Sequence, residues 1–259
     1  MRIGFVGAGN MATGLARGWK AAEGEPGAPE AMLFSDADAA RARALAEEVG
    51  GEALEGNRAL AEAADLVVLA VKPNTLAAVA GELAEAGTPV LSILAGTKLE
   101  ALAKALPGVE LVRVMPNLGA QLRQAVLCVV YGEGIDPGLR AGAGEALALL
   151  GEVVELDEEL IDPATAIMGC APGYLALMAE ALVEAGTKEG LSSEQALAMT
   201  AKAMIATGGL LELRQPGELR RAVASPGGMT EAGLEALEQR DFRAALSAAV
   251  DASLARVRG

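Results

Sequence analysis

The stretch RIGFVGAGNMA, residues 2–12, restricts the fold more than any other part of this chain. A short strand-like run, RIGFV, leads directly into Gly7-Ala8-Gly9-Asn10-Met11-Ala12, and a helical pattern then continues to Ala22. Glycine and alanine are common here, so the G-x-G-x-x-A spacing takes its meaning from that strand-to-helix context. Gly7 permits the tight turn, Gly9 lets the backbone approach a pyrophosphate, and Ala12 lets helix and strand pack closely. A helix that starts near Asn10 and Met11 presents unpaired N–H groups to the same anion. The expectation is a dinucleotide site that uses Gly7, Ala8, Gly9, Asn10 and Met11.

Downstream, strand-like and helix-like segments alternate as far as residue 157. AMLFS (31–35), DLVVLAV (65–71), TPVLSIL (88–94), VELVRV (109–114), AVLCVVY (125–131) and GEVVEL (151–156) read as strands. DADAARARALAEEV and PNTLAAVAGELAEAG are helical patterns between them, and AAEGEPGAPEA (21–31) is a surface loop. Strands apolar on both faces and separated by helices predict an α/β fold with a mainly parallel, doubly wound Rossmann-type sheet over 1–157. Beyond it the strand signals stop. Residues 163–186, 192–212 and 228–257 read as Ala/Leu-rich helices, with Ser192 and Gln195 as a capping box, so 158–259 is expected to be all-α. Pro216-Gly217 breaks the chain before a short helix or turn at 218–223. Ser35-Asp36 ends the second strand, where the residue facing the adenosine ribose sits. An acid there accepts from a 2′-hydroxyl and favours NAD, whereas nearby Arg41 and Arg43 can serve the 2′-phosphate of NADP; the sequence leaves the choice open.

Composition narrows the chemistry. The 259 residues include no histidine, which removes His-based triads, most transition-metal sites and the commonest general acid or base. Cys128 and Cys170 lie far apart in apolar runs, too few ligands for a disulfide framework or a zinc site, so no metal is expected. The net charge of −14 argues against nucleic acid or anionic membrane as the main partner. The first residues are too short and Gly-rich for a signal peptide, and no apolar run is expected to reach membrane-spanning length. A soluble cytoplasmic protein is expected. The Ala/Leu-rich helices of 158–259 carry more apolar surface than a monomer exposes, which points to a homodimer or a larger assembly built from dimers.

Four stretches, in order along nearly the whole chain, carry a resemblance: MRIGFVGAGNMA at the start, AVKP at 70–73, RVMPN at 113–117 and VASPGGMTEAGLEALE at 223–238. Together they resemble the pyrroline-5-carboxylate reductases. That resemblance implies a Rossmann domain followed by a helical dimerisation domain, and NAD(P)H-dependent reduction of a cyclic imine in the last step of proline synthesis. Position by position it implies that Asn57 touches the adenosine side of the cofactor, and that Ala70, Val71, Lys72, Pro73, Ala95 and Gly96 line the nicotinamide ribose. Met115, Pro116 and Asn117 would border the substrate, while Ser225, Gly227, Gly228, Met229 and Thr230 would hold it.

The chemistry of such a substrate is consistent with these residues. A small ring with a carboxylate and a C=N bond needs donors for its carboxylate, and a helix N-terminus supplies them. Gly227 and Gly228 lack Cβ and are expected to bare their backbone N–H groups to that carboxylate. Thr230 is the candidate catalytic residue, placing a hydroxyl beside the ring nitrogen; its alternative is an ordinary helix N-cap. Tyr174 reads as a packed helix residue rather than a proton donor. Hydride transfer needs positioning and exclusion of water, not a protein nucleophile. Three places depart from the family pattern: Leu118-Gly119 stands where Thr-Pro is usual, Cys170-Ala171-Pro172-Gly173 where Ser-Gly-Pro-Ala is usual, and Met229 where Thr or Ala is usual. These leave two alternatives open: a reductase of another cyclic imine, and a non-catalytic paralogue that binds dinucleotide in a regulatory role. A 3-hydroxyacid dehydrogenase fits less well, because residues 163–186 contain no lysine.

Overall fold

The computed structural model describes residues Met1–Arg258. The described residues form two compact units, Met1–Gly169 with Val257 and Arg258, and Cys170–Arg256. The first contains β1 (Arg2–Val6), α1 (Asn10–Ala21), β2 (Ala31–Ser35), α2 (Ala39–Val49), β3 (Glu52–Ala53), α3 (Asn57–Ala63), β4 (Leu66–Leu69), α4 (Leu76–Ala86) and β5 (Val90–Ser92). It continues with α5 (Leu99–Ala105), β6 (Leu111–Met115), β7 (Ala125–Tyr131), α6 (Pro137–Ala148), β8 (Gly151–Glu155) and α7 (Ile161–Ala164). The strands form one sheet in the order β3-β2-β1-β4-β5-β6-β7-β8. The crossover from β1, with β2 on one side and β4 on the other, is the reversal point at which doubly wound sheets hold ligands. Every pairing is parallel except β6 with β7.

The both-face apolar strands are explained by two cores. Alternate residues turn Ile3, Phe5, Leu66 and Val68 towards α1, α2 and α6, where Phe5 stacks on Phe34 with centroids 5.0 Å apart. Their neighbours Val6, Val67 and Leu69 pack with Leu60, Val79, Leu83 and Leu102 of α3, α4 and α5 on the opposite face. The single tryptophan, Trp19, is buried and donates its indole N–H to the Ala146 carbonyl at 2.7 Å, which ties α1 to α6.

The second unit is helical: α8 (Ala171–Lys188), α9 (Ser193–Leu211), α10 (Pro216–Val223), α11 (Met229–Glu238) and α12 (Phe242–Arg258). The Ser192–Gln195 capping box forms as expected. The run 228–257 is not one helix: Asp241, at φ +54°, breaks it between α11 and α12. Within this chain the unit has almost no core. α8 and α11 bury no residue, α9 buries only Ala196, and Leu177, Leu182 and Ile205 are more than half exposed. An apolar groove of about 700 Å³ runs between α8 and α12, lined by Leu177, Met178, Leu182, Phe242 and Leu246.

The expectation that no apolar run reaches membrane-spanning length is corrected. Glu158–Lys188 is long and apolar enough, by length and composition alone, to cross a membrane. It escapes a sequence reading because two prolines, Pro163 and Pro172, and three glycines interrupt its apolar residues.

Candidate functional site

The cleft at the sheet's reversal point begins with the turn after β1. Gly7 has φ +101°, and a Cβ on it would sit 2.7 Å from the Ala70 carbonyl oxygen, so only glycine fits there. Gly9 is different. It is the N-cap of α1 with ordinary extended backbone, and a Cβ on it would meet nothing within 4 Å. The fold therefore does not require that glycine; the open space beside it is what a cofactor backbone would use. α1 has no side-chain cap and no acidic residue in its first turn, so its leading N–H groups remain available to an anion.

Around this turn a cleft of about 510 Å³ is lined by Gly7, Gly9, Ser35, Asp36, Asn57, Ala70, Val71 and Lys72. Arg41, Gly56, Thr75, Val79 and Glu82 line it too. The Gly7 N–H donates to the Ser35 carbonyl at 2.8 Å, and Ser35 Oγ donates to Asn57 Oδ1 at 2.9 Å. Asp36 accepts from the Ala8 N–H at 2.7 Å and from the Asp38 N–H at 2.9 Å. The ends of β1, β2 and β4 thus form one surface with the chemistry of a dinucleotide seat. Ala8, Asn10, Met11, Pro73, Ala95 and Gly96 do not line this cleft. Ala8 contributes its N–H, and Ala95 and Gly96 lie exposed on the loop after β5.

The segment after β6 is occupied by internal contacts. Met115 is buried and packs with Cys128 and Ile161, and Pro116 is buried as well. Asn117 uses its amide at both ends: Oδ1 accepts the Gly119 N–H at 3.1 Å, and Nδ2 donates to the Met168 carbonyl at 3.0 Å. Met168 belongs to a single π-helical turn, Thr165–Gly169, whose geometry leaves carbonyls in need of outside donors. Burial pushes the Cys128 thiol pKa upward, so Cys128 is a packed apolar group rather than a nucleophile.

Sequence reasoning missed a buried ionic cluster. Arg113 on β6 is 1% exposed, and its Nη1 donates to Glu158 Oε1 at 2.6 Å, with Asp162 3.7 Å away. Glu158 Oε1 also accepts the Leu99 N–H at 3.0 Å. One carboxylate so ties β6, the start of α5 and the segment leading to the π-turn. A charged residue inside the strand-like VELVRV was the available signal, since a central strand seldom carries an unpaired cation.

In the helical unit, Ser225–Thr230 forms the entry to α11. Here the roles of the glycines differ from expectation. The Gly227 N–H donates to Glu231 Oε2 at 2.6 Å and the Gly228 N–H to the Ser225 carbonyl at 2.9 Å, so neither is bare. The reason is local: Gly227, at φ +69°, closes a turn, and Glu231 reaches back one helical turn to its N–H. The N–H groups left without partners among the described residues follow, on Met229, Thr230 and Glu231. The N-cap is Gly228, without a side-chain cap, so Thr230 is not the capping residue and its hydroxyl is not committed to that role. Met229 is 94% exposed. Tyr174 is a packed helix residue, its hydroxyl 2.6 Å from Ser253 Oγ.

Comparison with known proteins gives the family of this chain. Residues 158–259 match the family described as pyrroline-5-carboxylate reductase dimerisation, and residues 2–96 match the family described as NADP oxidoreductase, coenzyme F420-dependent. The chain is 38% identical to the pyrroline-5-carboxylate reductase of Thermus thermophilus, over 99% of this chain and 97% of that protein. It is 36% identical to the Pseudomonas aeruginosa enzyme of the same name, over 98% and 95%. The crystal structure of 1-pyrroline-5-carboxylate reductase from Streptococcus pyogenes superposes with a TM-score of 0.89 at 29% identity, covering 99% of this chain and 98% of that one. The chain belongs to the pyrroline-5-carboxylate reductase family.

Proposed function

We propose that the protein reduces 1-pyrroline-5-carboxylate to proline with a nicotinamide dinucleotide, NADH or NADPH, as reductant. The observation that carries this reading is a built dinucleotide cleft in a chain that matches such reductases over 99% of its length. The reduced dinucleotide supplies the hydride. Gly7, Gly9 and the opening turn of α1 hold its pyrophosphate, Asp36 and Asn57 its adenosine side. Ala70, Val71, Lys72 and Pro73, with Ala95 and Gly96, face the nicotinamide ribose. The free N–H groups of Met229 and Thr230 bind the substrate carboxylate, and the Thr230 hydroxyl orients the imine nitrogen or passes it a proton. Ser225, Gly227 and Gly228 set the turn that presents them, and Met115, Pro116 and Asn117 set the strand end at the substrate's border.

The decisive assay gives the purified protein racemic pyrroline-5-carboxylate with NADH or NADPH and follows cofactor oxidation. Turnover is expected with one or both; none with either, despite dinucleotide binding, would leave the regulatory alternative standing. Thr230→Ala is expected to lower kcat by about a hundredfold while leaving the dinucleotide Kd unchanged. Equal loss of both would assign the hydroxyl a structural role only.

We further infer that the helical unit pairs with a second copy, which covers the groove between α8 and α12 and the exposed apolar side chains of α8 in place of lipid. The dimerisation description of the matching family and the near absence of a one-chain core in α8 and α11 support this. We place the enzyme in the cytoplasm. Light scattering behind size exclusion is expected to give at least twice the chain mass without detergent. Leu177→Glu is expected to shift that mass towards one chain, and no shift would move the interface elsewhere.

A further inference from the structure

We propose that the chain prefers NADH over NADPH, and that Asp36 sets this preference by accepting the free 2′-hydroxyl of the adenosine ribose. The proposal rests on the reading that the cleft between β1, β2 and β4 holds a nicotinamide dinucleotide.

Asp36 directly follows the last residue of β2 and is half-buried. Its carboxylate cannot swing aside, because the Ala8 N–H holds Oδ2 at 2.7 Å and the Asp38 N–H holds Oδ1 at 2.9 Å. Each oxygen keeps further acceptor capacity after one bond, so the pair can take a ribose hydroxyl as well. The bond to Ala8 has a second consequence. Ala8 lies between Gly7 and Gly9, so the carboxylate is pinned to the turn that receives the pyrophosphate, where the attached ribose must pass. Its seat is stiffened by the bonds of Gly7 to the Ser35 carbonyl and of Ser35 to Asn57.

A 2′-phosphate changes every term. A phosphomonoester carries about −1.5 to −2 charges near neutral pH and offers only acceptors. Opposite a carboxylate already committed as an acceptor, it gains no hydrogen bond and meets a fixed like charge at short range in a partly water-excluded cleft. Arg41 lines the same cleft and is the counterweight. Its side chain is exposed and, among the described residues, has no ion-pair partner to hold it in place. A mobile, solvated guanidinium is screened and loses side-chain entropy on pairing, so the anchored acid dominates the choice.

The test measures kcat/KM for NADH and for NADPH with pyrroline-5-carboxylate, and separately the Kd of each dinucleotide by fluorescence titration without imine. The wild type is expected to favour NADH by at least about tenfold in both readouts. Asp36→Asn keeps an acceptor for the Ala8 N–H but removes the charge, and is expected to raise NADPH efficiency about tenfold or more while NADH efficiency falls. Asp36→Ser is expected to shift the ratio the same way, and serves if the Asn variant folds poorly. A wild-type preference for NADPH, or a ratio unmoved in both variants, would overturn the proposal. If neither dinucleotide is oxidised yet NADH binds more tightly than NADPH, the activity assignment fails and the cofactor preference stands.

Discussion

Replacing Glu158 by alanine is expected to lower stability by about 3–5 kcal/mol, because it strands a cation inside the fold. The Arg113 guanidinium is 1% exposed, and its Nε and Nη2 have no hydrogen-bond partner among the described residues. Glu158 supplies the close charge at 2.6 Å, while Asp162 stands at 3.7 Å without a hydrogen bond. Alanine at 158 also strips the Leu99 N–H of its acceptor. Urea unfolding at fixed protein concentration reads the loss as a fall in midpoint. Glu158→Gln preserves an acceptor without the charge and is expected to fall between the two. Arg113→Met combined with Glu158→Leu is expected to recover most of the deficit, since a volume-matched apolar pair avoids the desolvation that an ion pair carries. A loss under about 1 kcal/mol for Glu158→Ala would show that water reaches the cluster and solvates it.

That cluster also marks where sequence reasoning stopped. RIGFV and its glycine turn were readable because strand period, turn residues and helix start fall within a dozen positions and agree with one another. The two-residue strand β3 leaves no period to detect, and it exists only as a partner for Leu33 and Phe34 of β2. β7 was expected as a strand, but nothing in AVLCVVY distinguishes the antiparallel pairing it makes with β6 from a parallel one. The break between α11 and α12 carries no glycine or proline; it falls on Asp241, which tolerates the left-handed region through its short polar side chain. Arg113 pairs across 45 positions, so its strand context was visible and its partner was not. At the entry to α11 the glycines read as bare donors because their lack of Cβ is visible in sequence. The reach of Glu231 back to Gly227 depends on a turn that only the folded backbone specifies.

The two glycines of the first turn are expected to respond in opposite ways to the same methyl group. Gly7→Ala forces an L-residue to φ +101° and drives its Cβ to 2.7 Å from the Ala70 oxygen. Strain and overpacking together are expected to cost about 3 kcal/mol or more, seen as a lower thermal midpoint with or without cofactor. Gly9→Ala meets neither obstacle: its φ of −79° and ψ of −179° suit any residue, and the new Cβ touches nothing within 4 Å. Stability should change by no more than about 0.5 kcal/mol. Dinucleotide affinity is expected to fall about tenfold or more, because the methyl occupies the space that a pyrophosphate needs to reach the α1 N–H groups. The pair separates fold from function at positions two residues apart. Unchanged NADH affinity in a folded Gly9→Ala protein would mean that the open space beside Gly9 is not where the pyrophosphate lies.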